Sequence, residues 1–171
     1  MKKFALCIVL LLVSIPLSAG ILGISAGATG GVELWKINTE GAATQTFTAV
    51  GVTATLSPPF IPVGIRGGFE YAWKSYSDDT KLSDIIILLG IEHSIAPPLF
   101  PASLYLGIGG EMSTVGNGQD ESVTDFGVLV YGGINLSMGM MAVFAETGYG
   151  IIFADPTYTH IPIRGGIKVS I

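Results

Sequence analysis

Two histidines and one cysteine bound the catalysis this chain of 171 residues can carry. His93 follows Glu92 and precedes Ser94, a grouping that invites a serine nucleophile with its base. Adjacent residues of an extended strand point to opposite faces, whereas a nucleophile needs its base within hydrogen-bond reach, so the pair is not expected to work together. His160 follows a short polar segment containing Asp155 and is expected at the rim of a loop. Asp78-Asp79 and Asp120-Glu121 are acidic pairs of the kind that hold divalent cations weakly, and they read as solvated loop acids. Two histidines without clustered partners give no zinc motif, and Gly107-x-Gly-Gly sits inside a strand pattern rather than before a helix, so it is no nucleotide loop. No catalytic residue, metal site or cofactor is expected.

The remaining chemistry is ionic, and its placement follows a strict alternation. In residues 61–73, Ile61, Val63, Ile65, Phe69, Tyr71 and Trp73 share one face of an extended strand, with Pro62, Gly64, Arg66, Gly68, Glu70 and Ala72 on the other. In residues 161–171, Ile161, Ile163, Ile167, Val169 and Ile171 oppose Arg164, Gly166, Lys168 and Ser170. A soluble barrel shows water a polar, lysine-rich face. Here the second face is mostly glycine with a few charges, which suits a crowded interior, and the large apolar face is left to meet lipid. The glycine-bearing faces carry Glu33, Arg66, Glu70, Asp84, Glu92, Glu111, Asp125, Glu146, Arg164 and Lys168. Unpaired burial costs several kcal/mol each, so these charges need partners. The expected lumen network is Arg66, Glu70, Glu92, Glu111, Tyr131, Glu146, Arg164 and Lys168. Within it Arg66 lies diagonally near Glu92, Arg164 and Lys168 bracket Glu146, and Tyr131 donates to Glu146.

Eight strands position these residues, at about 22–35, 45–56, 61–74, 82–95, 102–115, 122–136, 141–153 and 159–171. Three connections are compact or proline-rich, around Pro58-Pro59, Pro97-Pro98 and Met138-Gly139. The four that alternate with them, Lys36–Thr44, Ser75–Lys81, Gly116–Glu121 and Ala154–Tyr158, are polar. Short turns at one rim and polar loops at the other are the layout of an outer-membrane barrel. Trp73, Phe126, Tyr149 and Phe153 fall near the polar-loop rim, and Phe60 and Phe100 near the turn rim, as interfacial girdles would.

Composition agrees. Hydrophobic residues make up 49% and charged residues only 12%. Beyond residue 19 no apolar run approaches the roughly 18 residues of a spanning helix, which leaves a closed barrel as the way to satisfy backbone groups in lipid. Residues 1–19 read as a signal peptide: Lys2-Lys3, an apolar Phe4–Ile15 and a small-residue site ending at Ala19. The barrel is then residues 20–171. It has no cysteine, because Cys7 lies in the signal, and it keeps six basic residues against thirteen acidic ones. That acidic balance argues against nucleic acid as a partner.

The pattern, strand count and loop order across residues 21–171 resemble the small eight-stranded outer-membrane barrels of the outer-membrane protein A transmembrane-domain and outer-membrane protein X type. The resemblance implies an all-β, antiparallel up-and-down transmembrane barrel in a diderm outer membrane, monomeric, with outer-membrane lipid and the barrel-assembly machinery as partners. Its surface-loop partner is not identified. Such barrels often end in an aromatic residue, whereas this chain ends Val169-Ser170-Ile171. The membrane lipid A deacylases resemble a His-x-Ser arrangement that His93-Ser94 does not match, and a palmitoyl-transfer site around His160 is less favoured still. Three functions follow from the sequence, in descending order. The first is a non-enzymatic barrel with a plugged lumen serving envelope structure or surface contact through its loops. The second is a narrow cation-preferring pore or small-ligand carrier, and the third a secreted lipocalin-like barrel that binds an apolar ligand inside.

Overall fold

The structure, a computed structural model, describes residues 23–58, 61, 63–76, 81–95, 101–116 and 122–170. The proposed signal segment, Phe60, Phe100, the Asp78-Asp79 and Asp120-Glu121 pairs and Ile171 lie outside the described residues.

Eight strands run in order: β1 (Gly23–Ile37), β2 (Gln45–Ser57), β3 (Val63–Ser75), β4 (Lys81–Ile95), β5 (Ala102–Gly116), β6 (Ser122–Met138), β7 (Met141–Ile152) and β8 (Tyr158–Ser170). Each pairs antiparallel with the next, and β8 returns to pair with β1 from Ser25↔Ser170 to Ile37↔Tyr158, closing the barrel. Closure removes every edge, so the backbone groups of all eight strands find partners within the ladder. β1, β2 and β6 each run one or two residues beyond their expected ends, because the ladder continues into the rims: Lys36 still pairs with Thr159, and Met138 with Met141. Gly139, at φ 69°, takes the left-handed conformation that the two-residue turn between β6 and β7 requires.

A 13-residue strand such as β3, at about 3.3 Å per residue and a tilt of about 40°, rises about 33 Å, enough to cross an apolar band of about 25 Å with its ends in the headgroups. The strand faces sort as the alternation requires. Leu89, Leu106 and Phe126 point outward and are 67%, 64% and 65% exposed, and the same phase holds Ile65, Ile87, Val128, Val143 and Ile163. Outward strand positions carry Lys and Arg only at Lys36 and Lys81, both at the polar-loop rim, and carry no Asp or Glu. A soluble domain does not expose a continuous apolar wall around its whole girth, so the lipocalin-like reading, which needs the apolar set inside, is overturned. Toward the polar-loop rim the outward aromatics include Trp73, stacked on Tyr71 with ring centroids 5.6 Å apart, together with Phe126, Tyr149 and Phe153.

The inward glycines make room for the large side chains of the lumen. Tyr131 lies across Gly107 and His160 across Gly150, each covering the place a β-carbon would occupy. A β-carbon on Gly166 would stand 2.7 Å from the Phe144 ring. The outward Gly67 has nothing within 4 Å of that position. Gly107→Ala is therefore expected to lower the urea midpoint of the folded barrel, by an overpacking cost of about 1–3 kcal/mol. Gly67→Ala should leave it unchanged or raise it slightly. Equal behaviour of the two variants in urea titrations followed by tryptophan fluorescence would contradict this account of the glycine faces.

Candidate functional site

The lumen is layered along the barrel axis. At the polar-loop end Trp35, Phe47, Ala49, Ala72, Ile86, Ile152 and Tyr158 form a buried apolar cluster. Trp35 stacks on Tyr158 at 4.8 Å and tilts against Phe47 at 5.2 Å. This layer caps the charged middle of the barrel with rings.

Beneath it, His160 lies between two carboxylates from across the lumen. Its Nδ1 is 2.6 Å from Glu33 Oε2 and its Nε2 is 2.7 Å from Glu111 Oε1. Both ring nitrogens meet carboxylate oxygens, so each contact must contain a proton. Ser113 Oγ donates to Asp84 Oδ1 at 2.8 Å and lies 3.0 Å from the Tyr158 hydroxyl, which ties the ring layer to the ionic one.

Two arginines organise the centre. Arg164 Nη2 donates to Glu33 Oε1 at 2.8 Å and to Glu70 Oε1 at 3.1 Å, its Nε lies 2.7 Å from Glu70 Oε2, and its Nη1 lies 3.4 Å from Glu146 Oε1. The Nε contact is close enough for an ion pair but not aligned as a hydrogen bond. Arg66, with no solvent exposure, grips Glu146 with both terminal nitrogens, the Nη2–Oε1 bond being 3.1 Å, and reaches Glu92 Oε2 at 3.5 Å. Its guanidinium lies over the Tyr131 ring at 4.6 Å, and the Tyr105 hydroxyl donates to Glu146 Oε2 at 2.8 Å. Glu146 thus receives two arginines and a tyrosine, which is the satisfaction a buried carboxylate requires.

All eight residues expected in the lumen network are buried and face inward. Arg66, Glu70, Glu92, Glu111, Glu146 and Arg164 lie in connected ionic contacts, and Arg66 meets Glu92 as the register counting anticipates. Three expectations are corrected. Tyr131 does not donate to Glu146: it pairs opposite Gly148, its hydroxyl reaches the Ile91 carbonyl at 3.5 Å, and Tyr105 is the donor. Lys168 does not bracket Glu146: it lies opposite Ala142, four residues farther along β7, with its ammonium over the Tyr105 and Phe144 rings. His160 is not a loop-rim residue, because β8 carries it into the lumen, where it is 1% exposed and bonded to Glu33 and Glu111. Its alternation in phase with Arg164 and Lys168 was the signal available in the sequence. His93 pairs opposite the outward Leu106 and Ser94 opposite the inward Tyr105, so they occupy opposite faces of β4. Among the described residues no group of His, Cys, Asp and Glu is arranged to hold a metal ion.

A closed barrel with an apolar outer wall and an ion-paired interior is a transmembrane β-barrel, and its fold is that of the bacterial outer-membrane barrels. It is similar to the solved structure of Neisserial surface protein A, with a TM-score of 0.70 and 14% identity over 88% of this chain and 97% of that one. A major outer membrane protein from Thermus thermophilus gives 0.61 and 12% over 89% and 100%. Ail, the attachment invasion locus protein of Yersinia pestis, gives 0.53 and 16% over 85% and 98%. No protein-family model matches the chain, and no curated protein matches it. At these identities the likeness carries the architecture, and the chemistry must be read from this chain's own residues.

Arg66→Ala strands Glu146 and Glu92 in a low-dielectric site and is expected to destabilise the barrel by about 3–5 kcal/mol. Lys74, at the loop rim, is bonded to Gln45 and is partly exposed, so Lys74→Ala should cost about 0–1 kcal/mol. Urea midpoints of the two variants compare them directly, and equal midpoints would contradict the network described here.

Proposed function

We propose that the protein is a resident of the outer membrane of a diderm bacterium, acting without catalysis as an envelope barrel whose lumen is plugged and whose polar loops make surface contacts. The observation that carries this reading is the filling of the lumen. One cavity in the lumen, lined by Thr53, Arg66, Glu70, Leu88, Glu111 and Arg164, has a volume of about 10 Å³, room for about one water molecule. Eight strands enclose a lumen that side chains can fill, and the buried ring layer and charged layer support that reading here. A catalytic role lacks support at both histidines: the ring nitrogens of His160 are held by carboxylates, and Ser94 lies on the face of β4 opposite His93.

A second reading, a narrow cation-preferring pore, has one observation in its favour. The buried acids Glu33, Glu70, Asp84, Glu92, Glu111 and Glu146 outnumber the lysine and arginines among them, Arg66, Arg164 and Lys168. The liposome-swelling assay separates the two. The plugged barrel gives no swelling with a small sugar such as arabinose, and any residual conductance in planar bilayers favours cations. Rapid swelling that persists in Arg66→Ala and Glu146→Ala proteins would mean an open pathway and would overturn the plugged-barrel reading.

A further inference from the structure

Three of the four basic side chains buried in the lumen face carboxylates. Arg66, Arg164 and His160 do so at hydrogen-bond distances, and Lys168 does not. Lys168 is 6% exposed. Its shaft lies flat across Gly27, where a β-carbon would stand 2.8 Å from Lys168 Cγ. Its ammonium ends 4.6 Å from the centre of the Tyr105 ring and 4.5 Å from that of Phe144. The rings cover one side of the charge. Among the described residues no carboxylate lies within ion-pair distance, and no oxygen accepts from its three N–H groups. A buried cation without a counter-ion is costly, and cation–π contact supplies neither a full charge nor hydrogen-bond acceptors.

The surroundings of Lys168 are unlike the rest of the lumen. From Tyr105 to the turn rim, the described inward positions include Ser25, Thr55, Ser94, Ser103, Asn135 and Ser170, all neutral hydroxyl or amide groups. The nearest inward carboxylate at this end, Glu92, pairs opposite Gly64 and is turned to Arg66. Thr55 Oγ1 and Asn135 Oδ1 are both buried here without a hydrogen-bond partner. One ammonium without a carboxylate partner, at an end of the lumen whose inward groups include serine hydroxyls, offers donors that can hold an oxyanion.

We infer that the turn-side mouth of the lumen is a binding site for a phosphate group held by Lys168. The phosphate is either a free ion or the headgroup of a phospholipid. Its charge supplies the counter-ion that Lys168 lacks, and its oxygens accept from the ammonium and the nearby hydroxyls. Beyond it along the lumen lie Tyr105, Tyr131 and Phe144 and the Arg66–Glu146 pair. The inference rests on the fold and on Lys168, and it holds whether or not the barrel conducts.

The test uses the full chain folded in a phosphate-free maltoside detergent, with backbone amide spectra of Gly27, Ala142 and Lys168 as the readout. Inorganic phosphate is titrated at constant ionic strength against chloride. A saturable shift of these amides with phosphate and not chloride supports a free-ion site. A shift that appears on transfer to phosphatidylglycerol nanodiscs, and is absent in maltoside with phosphate, supports the headgroup source. In either case Lys168→Met, which keeps the apolar shaft, should weaken the response at least about tenfold, equivalent to about 1.4 kcal/mol. Lys168→Arg should retain it, and Lys74→Met should not alter it. Absence of any saturable response in the unsubstituted protein under both conditions overturns the proposal, whether or not the variants fold. So does an equal response from Lys168→Met.

Discussion

Hydrocarbon offers a polar group no partner, and this protein is organised around that constraint. Closing eight strands on themselves satisfies the backbone, but it also makes the outward face largely apolar and sends every strand charge except Lys36 and Lys81, at the rim, inside. The inside is narrow. Six acids, two arginines, a lysine and a histidine therefore share a space that also holds Tyr105, Tyr131 and Phe144. Two features solve the crowding together. Glycines such as Gly107, Gly150 and Gly166 on facing strands yield the volume that the rings occupy, and the charges are paired across the lumen rather than left to solvent. Neither works alone, since a glycine face without large partners leaves voids and a charged face without glycines does not fit.

The ionic contacts also brace the barrel's cross-section. Arg66 of β3 reaches Glu146 of β7, Arg164 of β8 reaches Glu70 of β3, and His160 of β8 joins Glu33 of β1 to Glu111 of β5. These strands are not all neighbours, so the contacts run through the lumen as struts while the ladder hydrogen bonds run around the wall. A barrel flattened by lateral pressure in the membrane would stretch them. The same struts lie in the lumen, so removing them bears both on the stability of the wall and on the plugged-lumen proposal.

The wall was legible in the sequence, and the struts were legible only in part. Alternation at Ile65, Ile87, Leu106, Val128, Val143 and Ile163 gives the outward phase because the two-residue periodicity acts on each strand by itself. Arg66 with Glu92 could be read because they lie on the adjacent strands β3 and β4, whose register can be counted back from the loop that joins them. Arg164 opposite Glu146 is a direct cross-strand pair of the same kind. The contacts that escaped cross the lumen. Glu33, His160 and Glu111 lie on β1, β8 and β5, and Tyr105 finds Glu146 from β5 to β7, so their meeting depends on barrel radius, strand tilt and rotamer rather than on sequence counting. Tyr131 was the nearer candidate for Glu146 by strand order, but its ring turns to Arg66 instead.

The central claim is that the apolar faces of all eight strands look outward into lipid while the charged faces line the lumen. Single cysteines at Ile65, Leu106 and Ile163, compared with cysteines at the inward Thr53, Ser94 and Ser113, test it most directly in a chain that has no cysteine beyond Cys7. In reconstituted bilayers, the account predicts that the outward set reacts with a membrane-partitioning maleimide and is quenched by spin-labelled lipid, while the inward set does neither. Lipid-phase labelling of the inward set, with protection of the outward one, would contradict it.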